Sequence, residues 1–207
     1  MKLISELFPN YNGLSVVTSF YHINRNSWRK DKKNNSTRHI FDKKFIFDRA
    51  FIYAIIKTES AFNFKAKSSK GARGLMQLMP RTASKIKKDH RLRYSQKFHL
   101  YSLDLNLELG QKLLKELVQN PSINNSILCT LVAYNAGITR LKRWNKTIEV
   151  RDPLAFIESI PILETRLFVK SILTDLWIYR DKLGQSKESR AMLANDEWPT
   201  LPSKDFY

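Results

Sequence analysis

Residues 48–60 read Asp-Arg-Ala-Phe-Ile-Tyr-Ala-Ile-Ile-Lys-Thr-Glu-Ser, and their spacing indicates the class of fold. Large apolar side chains recur at short, regular intervals in this segment: Phe51, Ile52, Ile55 and Ile56. Intervals of three and four positions are those of an α-helix with one apolar face. Asp48 is of a residue type that caps helix N-termini, so we predict a helix from there to about Ser60.

The chain after this segment carries further helix signals. They predict helices at residues 80–88, 105–119, 122–134, 153–159 and 164–183. Proline suits the first turn of a helix and glycine commonly follows the last turn, which are the places that Pro80 and Gly184 would take. Gly137 would close the fourth predicted helix in the same way. No strongly alternating strand or internal repeat is evident, so the sequence predicts an all-α, or nearly all-α, fold.

Composition divides the chain into three parts. Residues 23–44 are polar, basic and without useful periodicity, which is typical of a loop or disordered linker. We therefore expect a partly disordered N-terminal extension at 1–44, a helical domain at 45–183 and a surface-packed C-terminal extension at 184–207. No apolar run has the length of a membrane span, and residues 1–21 make a poor secretory signal.

The charge balance narrows the class of partner. Lysine and arginine number 36 against 19 aspartates and glutamates, a formal net charge of +17. Such an excess favours a polyanion, which could be nucleic acid, an anionic membrane surface or an acidic polymer of a cell wall. Cys129 is the one cysteine and lies in an apolar run, so an intrachain disulfide is excluded and a small buried hydrophobic side chain is expected.

Glu59 is the first candidate for chemistry. It follows Ile55 by four residues and Ile56 by three, so it shares the apolar face of the first predicted helix. Desolvation on that face and the negative end of the helix dipole both raise the pKa of a carboxyl group. A general acid needs such a pKa to stay protonated near neutral pH. The plainer interpretation is a glutamate at the edge of the face that reaches solvent.

Two further segments set polar side chains among apolar ones. Residues 71–80 read GARGLMQLMP, in which Gln77 is the one amide among leucine and methionine side chains. It is either a hydrogen-bonding group for a polar ligand such as an N-acetyl sugar or an exposed residue on a Met-rich core turn. Residues 133–137 read AYNAG, where Tyr134 and Asn135 either point into a cleft or belong to ordinary helix-end capping.

Residues 156–166 read FIESIPILETR, in which Glu164 and Arg166 form either a functional pair or charge patterning at a helix start. Taken in order, TES, GARGLMQLMP, AYNAG and FIESIP-x-x-ETR-x-(F/Y)-V resemble the catalytic domain of the soluble lytic murein transglycosylases. That family lies in the lysozyme superfamily, which also holds goose-type lysozyme. The resemblance covers about residues 45–183 and implies a lysozyme-like helical catalytic domain with a glycan-binding cleft.

The resemblance also implies roles for individual residues. Glu59 would be the catalytic acid and base, Tyr134 would help to position it, and Glu164 would be a supporting carboxylate near the cleft. The other residues implied to adjoin the bound glycan are Ser60, Ser68, Gln77, Met79 and Asn135.

The chain departs from the family pattern in two respects. Ile138 and Thr139 follow AYNAG where the family usually has Pro-Gly, which leaves the local turn open. Many members also carry a large N-terminal helical superhelix and a signal peptide. Because neither is evident, we expect a catalytic module separated from its usual scaffold, a shortened product that the general secretion route exports poorly.

A mechanism with a single carboxylate is expected. Residues 60–88 hold eight lysines and arginines but no acid, although Glu164 stays open as a distant second carboxylate. Glu59 would protonate the leaving oxygen, and the 2-acetamido group of N-acetylmuramic acid could support the developing cation. Glu59 would then take a proton from the 6-hydroxyl of that sugar. The resemblance implies cleavage of the MurNAc–GlcNAc β-1,4 bond with 1,6-anhydromuramyl ends. No cofactor is expected, and no metal, because ligand spacings are absent.

Three other functions compete with this one. A hydrolytic muramidase on the same fold would bind the same glycan but deliver water. A basic nucleic-acid-binding protein would explain the charge but not the four motifs, and no nucleic-acid recognition motif is evident. A catalytically inactive wall-binding protein is the third. We therefore expect peptidoglycan strands, not nucleic acid, as the partner of a monomer in the periplasm or cell envelope.

Overall fold

The computed structural model describes residues 45–148 and 151–201, which form α-helices joined by turns. The helices are α1 (Arg49–Ser60), α2 (Pro80–Lys87), α3 (Leu103–Val118), α4 (Ile127–Ala136), α5 (Ile138–Thr147), α6 (Pro153–Ser159), α7 (Leu163–Leu183) and α8 (Glu188–Ala194). Two 3-10 helices, His90–Arg93 and Lys97–Tyr101, connect α2 to α3. Within the described ranges, extended pairing is limited to isolated bridges. The prediction of an all-α fold is confirmed, while the expected extension at 1–44 lies outside the described residues.

Helices α1 and α7 pack along each other and form the centre of the core. The apolar face predicted for α1 is buried, and α7 buries a matching row of side chains. These are Phe51, Ile52, Ile55 and Ile56 of α1, and Phe168, Val169, Ile172, Leu173 and Leu176 of α7. Each large apolar side chain contributes about 1.5–3 kcal/mol on burial. Asp48 caps α1 as predicted, because its carboxylate accepts a hydrogen bond from the Phe51 amide at 2.7 Å.

Helix α4 differs from its prediction at both ends. It begins at Ile127 rather than Ser122, because Asn124 and Asn125 have positive φ angles of 48° and 58°, which do not continue a helix. It ends at Ala136, so the AYNAG segment forms its last turn. Gly137, with a φ of 91°, ends α4 and immediately precedes α5, a helix that was not predicted.

The described part of the C-terminal extension packs on the helical domain through a few side chains. Leu193 of the unpredicted helix α8 is buried, as is Leu201. The Trp198 ring packs on Phe156 with 5.0 Å between ring centroids. Residues 185–201 thus pack on the domain through a few buried side chains while most of the others stay exposed, and the boundary at residue 184 stays a prediction. None of the described helices combines the length and the apolar character needed to cross a membrane.

Candidate active site

Glu59 lies in the last turn of α1, at the end opposite Asp48. The chain turns away directly afterwards, because Ala61 and Phe62 have φ angles of 48° and 64°. The Glu59 side chain is half-buried, and the described residues provide no hydrogen-bond partner for its carboxyl group. Burial and, to a smaller extent, the negative charge of Glu164 raise the pKa of Glu59 to about 8. The carboxyl group is therefore mainly protonated at neutral pH.

Gln77 helps to hold the loop that joins α1 to α2. Its Nε2 donates hydrogen bonds to the carbonyl oxygens of Ala66 at 3.1 Å and Gly74 at 2.8 Å. Its backbone has a φ of 44°, which makes the sharp turn between Met76 and Leu78. Since the amide nitrogen is used inside the loop, the group that remains for a ligand is the Oε1 atom. Gln77 thus combines a structural contact with one available acceptor.

Asn106 of α3 was missed by sequence reasoning, although it organises the same loop. Its side chain is 1% exposed; its Oδ1 accepts from the Met76 amide at 2.8 Å, and its Nδ2 donates to the carbonyls of Arg73 at 2.9 Å and Leu100 at 2.8 Å. Gly74 lies so close that a Cβ there would overlap Asn106. An asparagine in an otherwise apolar stretch of an amphipathic helix was the available signal, because a buried amide needs partners.

Tyr134 connects this loop to the catalytic candidate. Its hydroxyl donates a hydrogen bond to the Met76 carbonyl at 2.7 Å. Its ring stacks on Phe168 with the planes 5° apart and the centroids 6.4 Å apart. Burial, and then the nearby charge of Glu59, raise the pKa of Tyr134 well above its usual range. Tyr134 therefore lies near Glu59 and stays protonated. Its hydroxyl proton is used in the hydrogen bond to the loop.

Asn135 of α4 is bound to the start of α7, the helix turn that also carries Glu164. The buried Thr165 hydroxyl donates to Asn135 Oδ1 at 2.7 Å, which ties the AYNAG segment to the start of α7. Glu164 is exposed and lies 3.5 Å from the Lys70 ammonium group. The interpretation of Glu164 and Arg166 as a pair is not supported, because Arg166 Nη1 lies 3.6 Å from Glu158.

The remaining predicted residues make local contacts around the loop. Ser60 Oγ donates to the Ile56 carbonyl at 3.1 Å, within α1. Ser68 Oγ accepts from the Ala72 amide at 3.0 Å, within the loop. The Met79 side chain, directly before α2, is 40% exposed and is free to contact a ligand. The structure thus gives both serines structural contacts in this conformation.

The geometry is suited to an enzyme that acts by acid catalysis. A helical scaffold holds one protonated glutamate at a helix end, beside a glycine-containing loop that presents an amide oxygen and an exposed methionine. One protonated carboxyl group in such a setting suits acid catalysis on a polar, uncharged bond.

Comparisons with known proteins agree with this class. The model of the transglycosylase SLT domain family matches residues 36–156. The soluble lytic murein transglycosylase of Salmonella typhimurium is 36% identical over 152 residues, which is 72% of this chain and 23% of that protein. Membrane-bound lytic murein transglycosylase E of Buchnera aphidicola is 28% identical over 68% of this chain and 74% of its own length.

The fold is similar to that of a solved relative. The crystal structure of the 70 kDa soluble lytic transglycosylase from Escherichia coli superposes with a TM-score of 0.62 and 35% identity, over 74% of this chain and 24% of that one. The chain belongs to the transglycosylase SLT domain family, and its all-α fold is the lysozyme-like fold of these relatives. It spans about a quarter of the length of the soluble relatives, 23% in the Salmonella case.

Proposed function

We propose that the chain is a peptidoglycan lytic transglycosylase that cleaves the MurNAc–GlcNAc β-1,4 bond and leaves 1,6-anhydromuramyl ends. The observation that carries this proposal is the half-buried carboxyl group of Glu59, whose pKa is raised to about 8. A proton is available there at neutral pH. The relatives are named as murein transglycosylases, which supports peptidoglycan as the substrate.

The first step is acid catalysis. Glu59 donates its proton to the glycosidic oxygen as the C1–O bond breaks, so the leaving sugar departs as a neutral alcohol. The positive charge that develops at C1 of the muramyl residue is taken up by its own 2-acetamido group, whose oxygen forms a bond to C1, as in substrate-assisted glycosidases. Glu164 supports this step at a distance, because its charge makes ionised Glu59 less favourable and so keeps the proton in place.

The second step returns the proton. Ionised Glu59, whose raised pKa makes it a good base, removes the proton from the 6-hydroxyl of the same muramyl residue. The C6 oxygen attacks C1 and displaces the acetamido oxygen, which closes the 1,6-anhydro ring. No water enters the bond, and Glu59 ends the cycle protonated, as it began.

The other residues are proposed to bind and position the glycan. Tyr134 holds the loop through the Met76 carbonyl and borders Glu59. Asn135 fixes the end of α4 against α7. The Gln77 Oε1 atom accepts a hydrogen bond from a sugar, and Met79 packs on a sugar face. Ser60 Oγ, which donates to the Ile56 carbonyl, can still accept a hydrogen bond from the glycan, and Ser68 Oγ, which accepts from the Ala72 amide, can still donate one.

The substrate fixes the place of action. Peptidoglycan lies in the cell envelope, and the proposal places the active protein there, most simply as a monomer. The relatives include soluble and membrane-bound murein transglycosylases, which supports a location in the cell envelope.

Digestion of purified sacculi tests the proposal. Mass spectrometry of the released muropeptides should show non-reducing, anhydro ends that are lighter by one water than the products of a muramidase. Products with reducing ends would assign the chain to hydrolytic muramidases instead. Binding to sacculi without released products would show a wall-binding protein and overturn the proposal.

A further inference from the structure

The link between α2 and α3 is a surface to which the proposed function assigns no role. Two 3-10 helices make up most of this link, His90–Arg93 and Lys97–Tyr101. Each contributes one buried leucine, Leu92 or Leu100, to the hydrophobic core beneath. The link is therefore anchored to the domain at two points, and the side chains between these points lie on a supported surface.

Two aromatic rings project from the link. Tyr94 is 62% exposed and Phe98 is 57% exposed, more than any other phenylalanine, tyrosine or tryptophan in the described ranges. They lie four positions apart, on either side of the turn that joins the two 3-10 helices. Single exposed apolar side chains are ordinary, but large rings that are exposed together mark an interaction surface.

Positive charge accompanies these rings. Residues 85–101 hold six lysines and arginines but one acid, Asp89. Asp89 pairs with Arg91 at 2.9 Å, and Lys87 pairs with Glu108 at 3.5 Å. The other four cations have no ion-pair partner among residues 45–148 and 151–201: Lys85, Lys88, Arg93 and Lys97. Their charge is thus left for an anion outside the chain.

Each ring has one of these cations beside it. The Arg93 guanidinium lies over the Tyr94 ring, 5.2 Å from its centroid. Lys97 directly precedes Phe98. A ring next to a cation suits the boundary of an anionic bilayer, because the ring enters the apolar edge of the headgroup layer while the cation stays at the phosphates.

Single-stranded nucleic acid also combines with rings and cations, but the geometry suits it less. Such strands are held in basic grooves, where bases stack on open ring faces. Tyr94 and Phe98 project from the surface, as their exposure requires, and the Arg93 guanidinium already covers part of the Tyr94 ring. The observations therefore favour a lipid interface over a stack of bases.

We propose that residues 90–101 dock the protein on an anionic membrane surface. Tyr94 and Phe98 enter the headgroup region, and Arg93 and Lys97 contact the lipid phosphates. The four cations without ion-pair partners provide the attraction to the surface, while the rings provide the apolar contact. Docking does not depend on cleavage at Glu59. Together with the proposed function, it confines cleavage to strands that lie close to a membrane.

Sedimentation with sucrose-loaded vesicles tests the docking surface. The full chain should bind vesicles of phosphatidylglycerol and phosphatidylethanolamine, mixed about one to three, roughly tenfold more tightly than vesicles of phosphatidylcholine. Lys97→Ala with Phe98→Ala should weaken binding to the anionic vesicles by about tenfold or more. Phe98→Ala alone should weaken it by about threefold, and Phe98→Trp should bind as well as the unsubstituted protein, because indole rings favour the interface.

Lys182→Ala with Leu183→Ala is the matched control, because it removes an exposed lysine and the exposed apolar residue that follows it, at the end of α7. This variant should keep its affinity for anionic vesicles within about twofold. Circular dichroism confirms that each variant is folded. Equal weakening in the two double variants, or unchanged binding in Phe98→Ala, would show general attraction of a basic protein and overturn the docking surface.

Two other ligands complete the test. If Lys97→Ala with Phe98→Ala weakens binding of a single-stranded oligonucleotide more than binding of vesicles, the surface belongs to nucleic acid and the membrane proposal is wrong. If cleavage of sacculi falls in step with vesicle binding in this variant, the surface contacts the wall strand and the proposal is equally wrong. Failure of the proposed function would appear separately, as sacculi left intact by the unsubstituted protein, and would leave the vesicle result unchanged.

Discussion

The two ends of α1 each carry an acidic side chain, but their surroundings differ. At the start, one Asp48 oxygen caps the helix and the other accepts from the buried guanidinium of Arg180, whose Nη1 also donates to Ser189 at 2.7 Å. At the end, the Glu59 carboxyl group lacks a hydrogen-bond partner within the described chain, and its pKa is raised to about 8. The carboxylate at the start of α1 is thus paired with a cation, while the carboxyl group at the end of α1 has no partner among the described residues.

This difference shows how one helix can serve stability and chemistry at once. A buried charge with complete partners fixes the position of the helix, because any displacement would leave an ion unpaired in a medium of low polarity. An unpaired carboxyl group on a helix so fixed keeps its proton ready for transfer. The free energy lost at Glu59 is tolerated because packing and the Asp48–Arg180 pair stabilise the rest of α1.

Substitution of the catalytic candidate should have the largest effect on activity. Glu59→Gln keeps the shape of the side chain but removes its transferable proton, so cleavage of sacculi should fall by about a thousandfold or more. The helical circular dichroism spectrum should be unchanged. Glu188→Gln, an exposed change on α8, serves as the control and should retain full activity. Activity of the Glu59 variant within tenfold of the unsubstituted protein would remove Glu59 from its proposed role.

Breaking the paired end should affect stability instead. Asp48→Asn leaves the Arg180 guanidinium, 2% exposed, without its counter-charge, and we expect a loss of about 3 kcal/mol in the free energy of unfolding. Urea unfolding measures it. Asp181→Asn removes an exposed acid paired with Lys187 and should cost less than about 1 kcal/mol. Similar losses in both variants would show that the buried pair has no special role.

The sequence predicted the capping role of Asp48 at the start of α1 but not its ion pair with Arg180. Asp48 was recognisable as a cap, because capping depends on neighbours within the helix. Its partner Arg180 lies 132 positions away and is preceded by an ordinary amphipathic pattern, so local signals could not show that it is buried. The start of α4 was misplaced for a related reason, since Asn124 and Asn125 are compatible with either a helix or a left-handed turn.

The candidate site was predictable as far as motif and periodicity reach. The raised pKa of Glu59 followed from its place on an apolar helix face and agrees with the structure. The use of the Gln77 nitrogen inside the loop and the bond from Tyr134 to Met76 depend on tertiary contacts that sequence spacing does not encode. The roles assigned to the site residues stay predictions until they are tested by substitution.

Substitution of Asn106 should have a moderate effect on the stability of the protein, because Asn106 holds the loop beside Glu59. Asn106→Ala leaves the Met76 amide and two carbonyl groups without their buried partner, and we expect a loss of about 2 kcal/mol in stability. The Met76 carbonyl also accepts a hydrogen bond from the Tyr134 hydroxyl, and Tyr134 lies near Glu59. Loss of Asn106 should therefore lower kcat by a larger factor than it raises KM. Tyr134→Phe should reproduce the fall in kcat with a smaller loss of stability. Additive effects on kcat in the double variant would contradict this connection.

The last prediction concerns the pH dependence of stability that the unpaired carboxyl group at the end of α1 causes. Glu59 in the unfolded chain loses its proton near pH 4.5, whereas in the folded protein it does so near pH 8. Between these values the folded state holds a proton that the unfolded state has released, so stability falls as pH rises from 4.5 to 8. Glutamine has no such dependence, and Glu59→Gln should therefore become more stable than the unsubstituted protein by about 1–3 kcal/mol at pH 8–9 and show little gain at pH 4–5. This range is below the full value of the pKa shift, because an ionised side chain can turn towards solvent. Urea unfolding of both proteins across this pH range measures the difference, and Asp48→Asn should show a loss throughout it. A constant difference between the Glu59 variant and the unsubstituted protein at every pH would mean that Glu59 titrates as an ordinary glutamate and that the two ends of α1 do not differ in this way.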